Sequence, residues 1–194
     1  MTVKEYTKLV DDALKLLNSV ELQNELIDDF PFIQADYIKE RHAMGEVDEW
    51  PNATGEFGRT PTNPILVNET WGEITYLSRL VTADGQRMIF HRVGSALGAI
   101  DIFELVSEDG KFYDRLFVDM YHRHCSKKAP AGYTLLKTLD GITGTSELIP
   151  DFPDEICSTL IHMAIRKFGA PIVSYSVANF DGDQAAELID AARR

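Results

Sequence analysis

Cysteine is scarce in this chain of 194 residues, which contains only Cys125 and Cys157. Two cysteines cannot build the disulfide framework of a small secreted domain, and they lack the paired spacing of a structural zinc site. We therefore expect two reduced thiols. The first residues also lack the basic start and continuous apolar run of a secretory leader, so we expect a cytoplasmic protein.

Long apolar runs and familiar catalytic motifs are also missing. No stretch approaches the roughly 18 apolar residues of a membrane helix, so we expect no membrane association. The sequence has no Gly-x-Ser-x-Gly, His-Glu-x-x-His, Walker or EF-hand pattern. The small-residue segment 94–98 lacks the spacing of a phosphate-binding loop. We therefore predict no cofactor and no well-marked class of enzyme.

Basic residues are outnumbered. The chain has 31 Asp and Glu against 19 Lys and Arg, a net charge of −12 and a pI near 4.8. Nucleic-acid binding requires clustered cations, so this balance argues against it. Twelve acids and five Lys or Arg fall within the first 50 residues. Opposite charges accelerate encounter, so a basic protein is the electrostatically favoured partner.

The composition is that of a folded globular protein, with 44% apolar and 26% charged residues. The length predicts a single domain over residues 1–194. Apolar residues recur at helical spacing over 2–19, and shorter helices are expected at Glu21–Asp29 and Ile33–His42, which together make residues 1–44 helical. Proline and glycine then punctuate a polar stretch over 45–70, which we interpret as a long loop.

Residues 71–121 carry the strongest strand signal. Asp84-Gly85 and Asp109-Gly110 favour tight hairpins, since glycine tolerates positive φ fully and aspartate does so unusually well. We therefore predict an α+β fold with an antiparallel meander of four or more strands. The four segments rich in β-branched and aromatic residues are Glu73–Val81, Arg87–Val93, Ala99–Val106 and Lys111–Tyr121.

The remainder, 122–194, is predicted to contain a loop, a helix, a strand and a final helix. The amphipathic segment Asp154–Phe168 ends at glycine and proline, as helices commonly do. A short strand is expected at Ile172–Val177 and a helix at Asp183–Arg194. The N-terminal and C-terminal helices are expected to pack on the sheet, since neither face of the fourth strand is purely polar.

The segment from Asp119 to Lys128 is the most unusual part of the sequence, because it concentrates titratable, nucleophilic and cationic groups at the predicted end of the fourth strand. One interpretation is a metal site. His122 and His124 would share one side of a continuing strand, and His91 or Asp119 could complete the ligand set. A His-x-His pair alone has low specificity for metal binding.

A second interpretation is a small enzyme that uses the same segment. Cys125 would be the nucleophile, with His91, His122 or His124 as its base, and neighbouring cations would lower the pKa of its thiol. The sequence shows no third, orienting residue. Free cysteines are more often inert core residues.

A third interpretation is an anion contact made by Arg123, Lys127 and Lys128, with help from Arg59. Such a patch would hold a phosphate, a carboxylate or a loop of a partner. The alternative is an ordinary solvated loop.

Three functions follow from these patterns. We rank first a binding or regulatory module, of the kind that immunity-like proteins represent, which engages a basic protein partner. A small enzyme at the end of the fourth strand is the alternative. The third is a small-molecule-binding domain with a cavity lined by the strand aromatics, although such residues are usually core. These aromatics are Tyr76, Phe90, Phe103, Tyr113, Phe117 and Tyr121.

Overall fold

A computed structural model of the chain describes residues 1–31, 35–178 and 180–194. These residues form an α+β fold with seven helices, a mixed five-stranded sheet and a separate two-stranded sheet. The helices are α1 (Val3–Leu17), α2 (Val20–Asp28), α3 (Asp36–Ala43), α4 (Glu69–Leu77), α5 (Ile156–Phe168), α6 (Tyr175–Ala178) and α7 (Gly182–Ala192). The strands are β1 (Ile65–Leu66), β2 (Leu80–Thr82), β3 (Met88–Ala96), β4 (Ile100–Ser107), β5 (Tyr113–Asp119), β6 (Tyr133–Leu135) and β7 (Gly144–Thr145).

The large sheet has the order β1-β5-β4-β3-β7. Its three central strands are antiparallel neighbours, as the hairpin signals predict. At the two edges, β1 pairs with β5 and β7 pairs with β3, and both pairings are parallel. The sheet is therefore mixed, and the purely antiparallel meander is corrected to a three-stranded antiparallel centre with parallel edges.

The predicted first strand, Glu73–Val81, is wrong over most of its length. Residues up to Leu77 belong to helix α4, and only β2 at the end of the segment is extended, where it pairs with β6 outside the large sheet. Every residue from Gly72 to Leu77 is buried. A helix that is buried on all sides has no polar face, so it shows none of the amphipathic periodicity by which helices are recognised.

The structure also differs from the sequence predictions in the boundaries of three other segments. The 45–70 stretch contains strand β1 and the start of α4 rather than an uninterrupted loop. The predicted strand Ile172–Val177 makes a single bridge, from Val173 to Ile142, before the chain enters α6. The predicted helix Ile33–His42 is observed as α3 from Asp36 onward, and its first residues lie outside the described part of the chain.

Two apolar cores lie on opposite faces of the large sheet, since alternate strand residues point to opposite sides. Helix α4 contributes to both, with Ile74 in one core and Tyr76 in the other. The first core joins β3 and β4 to α1, α5 and α7. The second core covers the other face and is closed by residues from 57 to 67 and from 116 to 120. Helical cover thus comes from both ends of the chain.

Candidate functional site

Strand β5 ends at Asp119, where its carboxylate is buried and accepts a hydrogen bond from Arg41 Nε at 2.9 Å. Tyr121 then forms an isolated bridge with Asn68. Because the strand does not continue beyond Asp119, the residues that follow do not alternate between two faces. This removes the geometric premise that His122 and His124 share one side of a strand.

His122 is fully buried. Its Nε2 lies 3.3 Å from Trp50 Nε1 and 3.2 Å from Asp119 Oδ2. The guanidinium of Arg41 lies over the Trp50 ring, 4.9 Å from its centroid. His122 therefore belongs to an internal polar network that fastens α3 and the 45–50 segment to the end of β5.

His124 contacts the 45–50 segment at another point. Its Nε2 lies 2.9 Å from Asp48 Oδ1, and the same oxygen accepts the Lys127 backbone N–H at 2.7 Å. Although burial raises the pKa of Asp48, these hydrogen bonds hold it below its ordinary value. The Ser126 hydroxyl also donates to the Asp48 carbonyl at 2.8 Å. Asp48 thus fixes the path of residues 124–127.

The Cys125 thiol packs against helix α4 and accepts the Asn68 backbone N–H at 3.4 Å. Burial raises the pKa of this thiol, while Asn68 N–H and the Arg79 guanidinium oppose the shift without cancelling it. Arg123, Lys127 and Lys128, which we expect from the sequence to lower the pKa of the thiol, are not among the groups that shift it. Within the described residues, no hydrogen bond joins His124 to Cys125.

His91 lies on β3, apart from the segment after β5. Its Nε2 is 3.2 Å from Glu104 Oε2, its Nδ1 accepts the Ile149 backbone N–H at 3.2 Å, and its ring stacks on Phe152 at 4.0 Å. His91, His122 and His124 therefore have three separate sets of partners. Across residues 1–31, 35–178 and 180–194, no group of three or more His, Cys, Asp or Glu residues is placed to hold a metal ion.

Two of the predicted binding residues do converge. Arg123 and Lys127 line a cleft of about 690 Å³ between α2, the segment 123–127 and the strand β6, and we name this the cationic cleft. Its lining also includes Arg79, Lys137, His124 and Cys125, with Glu46 as the one acid. A locally positive site is thus present in a chain whose net charge is −12.

Arg79 lies at the C-terminal end of α4 and its side chain is half-buried in the cationic cleft. Its Nε donates to the Thr75 carbonyl at 3.0 Å, which leaves the terminal nitrogens of the guanidinium available. Burial lowers the pKa of this guanidinium. Among the described residues, Arg79, Lys127 and Lys137 form no ion pair, whereas Arg123 is paired with Asp28.

The other two predicted binding residues lie elsewhere. Arg59 Nη2 donates to Asp114 Oδ2 and to the Ala131 carbonyl, each at 2.9 Å, and so joins the 55–63 turns to β5. Lys128 forms an ion pair with Glu49, and its ammonium lies over the Phe57 ring at 4.6 Å. Both are neutralised locally and neither lines the cationic cleft.

The sequence interpretation missed Arg79 and Lys137. Arg79 lies in the segment that the sequence predicts as the first strand, and Lys137 follows β6, which is the next element after the segment that contains His122 and His124. No local pattern connects them. They meet because β2 and β6 pair, with Leu80 opposite Leu135.

The aromatic residues of the strand region are mainly core. Tyr76, Phe90 and Phe103 are fully buried, and the rings of Phe90 and Phe103 pack edge to face at 5.9 Å. At that point these aromatic rings are part of the apolar core between the sheet and α4. Tyr121 is different, because it lines a second and smaller pocket near the start of α4.

Comparisons with protein-family models, with curated proteins and with solved structures found no match to this chain. No helix in the described ranges is long and apolar enough to cross a membrane.

Proposed function

We propose that this protein is a binding module whose cationic cleft takes the anionic group of a small ligand, with phosphate as the best-matched group. The observation that carries the proposal is the half-buried Arg79 guanidinium, which has no ion pair within the described residues and lies beside two unpaired lysines. A partly desolvated cation without a counterion is destabilising, and a bound oxyanion relieves that cost.

The arrangement suits a phosphate group. Arginine presents several N–H donors in a planar fork that matches phosphate oxygens, while lysines contribute point charges from the rim. The cleft of about 690 Å³ is larger than one phosphate ion and falls within the usual range for small-molecule sites. The anion is therefore expected to be one part of a larger ligand.

The acidic character of the whole chain is compatible with a small anionic ligand and disfavours a polyanionic ligand such as nucleic acid. A long nucleic-acid backbone would extend beyond the cationic cleft onto the rest of a surface whose chain has a net charge of −12, and that charge repels it. At physiological salt the screening length is about 8 Å, so a small ligand inside the cleft responds mainly to the cations that line it. The local field can thus attract phosphate although the protein is acidic.

Calorimetric titration with inorganic pyrophosphate at low salt tests this proposal. Arg79→Gln is expected to weaken binding about tenfold or more, and Lys137→Gln or Lys127→Gln about threefold each. Arg79→Lys keeps the charge but loses the fork, so it should fall between Arg79→Gln and the wild type. Lys39→Gln is the matched control, since Lys39 is exposed on α3 and outside the cleft.

The proposal fails if pyrophosphate does not bind, or if Arg79→Gln binds it as tightly as Lys39→Gln does. Circular dichroism and the melting temperature of each variant separate loss of binding from loss of folding.

A second candidate function is the engagement of a basic protein partner through α2. Glu21, Glu25 and Asp29 recur every four residues along this helix and its C-terminal cap, so they lie on one face, and all three are exposed. None of them is ion-paired with a described residue. Val20, at the start of the same helix, is 52% exposed. An acidic stripe beside an apolar residue favours a cationic segment of a partner.

Crosslinking in a low-salt lysate of the native host tests this second candidate. A partner that uses the stripe is expected to be recovered with the wild type and lost with the triple change Glu21→Gln, Glu25→Gln, Asp29→Asn. The charge-matched control changes three exposed acids elsewhere, Asp11→Asn on α1 with Asp36→Asn and Glu40→Gln on α3. Equal recovery with the triple variant and the control contradicts a role for the stripe.

The enzyme alternative at the end of β5 has less support. His122 is enclosed in its network with Asp119 and Trp50, and Cys125 has a raised thiol pKa. His124 and Cys125 both line the cationic cleft, so they stand where they could contact a bound anion.

A further inference from the structure

A second pocket, of about 260 Å³, lies where the start of α4 approaches β3 and β4, and we name it the Glu73 pocket. Glu73 on α4, Arg92 on β3, Asp101 on β4 and Ser146 after β7 supply its polar lining. Phe30 and Tyr121 form an aromatic wall, with their rings edge to face at 6.1 Å. The Glu73 pocket and the cationic cleft share no lining residue.

Three buried polar atoms in the Glu73 pocket have no hydrogen-bond partner among the described residues. They are Glu73 Oε1, Arg92 Nε and Ser146 Oγ. Glu73 as a whole is only 1% exposed. The Ser146 hydroxyl and the Asp101 carboxylate lie close enough to Glu73 to shift the pKa of its carboxyl group, Asp101 upward and Ser146 downward.

Unsatisfied buried polar atoms are rare in folded proteins, because each one loses its hydrogen bonds to water without replacement. Among the described residues eight such side-chain atoms occur, and five of them are spread through the rest of the fold. The other three belong to residues from three separate segments of the chain that line this one cavity. Their convergence indicates that the lining is arranged for a polar ligand.

The charges of the pocket nearly cancel. Arg92 Nη2 donates to Asp101 Oδ1 at 2.8 Å, so this pair contributes little net charge. Burial, followed by the adjacent Asp101, raises the pKa of Glu73 well above its ordinary value and so favours the neutral form of its carboxyl group. With Arg92 and Asp101 paired and the neutral form of Glu73 favoured, the pocket offers no unpaired charge to a cation or to an anion.

We propose that the Glu73 pocket binds a neutral, hydroxyl-rich small molecule of monosaccharide size. A hydroxyl group both donates and accepts, so neighbouring hydroxyls can accept from Arg92 Nε, exchange hydrogen bonds with Ser146 and contact the Glu73 carboxyl. The aromatic wall of Phe30 and Tyr121 suits the C–H face of a sugar ring. The proposal is independent of the anion site.

Saturation-transfer NMR with D-glucose, D-galactose, N-acetyl-D-glucosamine and myo-inositol tests it, with cationic D-glucosamine and anionic D-glucuronate as charged comparisons. At least one neutral probe is expected to bind more tightly than both charged ones. Ser146→Ala should weaken that binding about fivefold. Ser158→Ala, which removes an exposed hydroxyl on α5, should leave it unchanged.

Two substitutions at residue 73 separate its polarity from its volume. Glu73→Gln keeps groups that can donate and accept, so binding should stay within about twofold of the wild type, whereas Glu73→Leu should abolish it. Pyrophosphate titration of the folded Glu73→Leu protein should match the wild type, which keeps this result distinct from the outcome at the cationic cleft. The inference is overturned if no neutral probe binds, if a charged probe binds best, or if Ser146→Ala behaves like Ser158→Ala.

Discussion

Arg193, which follows the last turn of α7, donates two hydrogen bonds to the buried carboxylate of Glu104 on β4. Its Nε lies 3.1 Å from Oε1 and its Nη2 lies 2.6 Å from Oε2. Glu104 is 2% exposed and also contacts His91 and Tyr113. This contact ties the end of the chain to the middle of the sheet, across 89 residues of sequence.

Removal of this tie should destabilise the fold. Arg193→Ala is expected to lower the free energy of unfolding by about 2 kcal/mol, because a buried carboxylate loses two charge-assisted donors. Arg194→Ala, at the exposed adjacent position, should change it by less than about 0.5 kcal/mol. Urea unfolding followed by circular dichroism measures both. Equal values for the two variants would show that the tie contributes nothing.

Glu104 should also set part of the acid sensitivity of the protein. Although burial raises its pKa, hydrogen bonds from His91, Arg193 and Tyr113 lower it well below the ordinary value of 4.5. As the pH falls below about 4.5, the unfolded chain therefore takes up a proton that the folded chain does not, and stability declines. Between pH 5 and pH 2, Glu104→Gln should lose about 2 kcal/mol less stability than the wild type.

Unfolding measured at a series of pH values compares the slopes of the two proteins, whatever their stability at pH 7. Asp84→Asn, in an exposed hairpin turn, is the control for a carboxylate outside the network. Parallel acid slopes for the wild type and Glu104→Gln would rule out this source of acid sensitivity.

Gly144 permits the parallel contact between β7 and β3. A Cβ atom at this position would lie 2.3 Å from the Phe90 carbonyl oxygen and 2.4 Å from its ring, both far inside normal contact. Gly144→Ala is therefore expected to cost about 3 kcal/mol, since neither the backbone nor a core ring can easily move. Gly94→Ala is the matched control, because a Cβ there meets nothing within 4 Å.

Thermal melting of the two glycine variants gives the comparison, with about 2–4 °C expected per kcal/mol for a protein of this size. If the Gly144→Ala and Gly94→Ala proteins had the same melting temperature, β7 could separate from β3 without loss of stability.

Cys125 should react slowly with alkylating agents. Burial raises the pKa of its thiol, so little thiolate is present at neutral pH, and the partial burial of the side chain also restricts access. At pH 7.5 we expect iodoacetamide to modify it at least about tenfold more slowly in the folded protein than in the urea-unfolded chain. Peptide mass spectrometry follows the reaction at this residue. Faster modification in the folded state would instead support a thiol enzyme.

The elements that sequence reasoning located correctly are those with local causes. Helices α1, α2, α5 and α7 bury one face and expose the other, and this periodicity is visible in the sequence. The two Asp-Gly pairs do lie in turns, with Gly85 at φ +87° and Gly110 at φ +66°. The second, third and fourth predicted strands pair in the expected antiparallel order.

The sequence predictions fail where contacts distant in the sequence, and not a local pattern, decide the structure of a segment. Helix α4 is enclosed by both cores, so its sequence resembles a buried strand. The end of β5 was expected two residues later because Met120 and Tyr121 are apolar enough to continue it. Its termination at Asp119 sends His122, His124 and Cys125 to different partners.

The sequence by itself determined the α+β fold class and the acidic balance, because composition, periodicity and turn chemistry are properties of short stretches. Only the tertiary structure decided which cations share a cleft, and that Glu73 Oε1 is buried with no hydrogen-bond partner among the described residues. The pairing of β2 with β6 brings Lys137 to Arg79, and the packing of α4 on β3 and β4 encloses Glu73 beside Arg92 and Asp101. Such sites depend on contacts between residues far apart in the chain, and no local sequence pattern predicts those contacts.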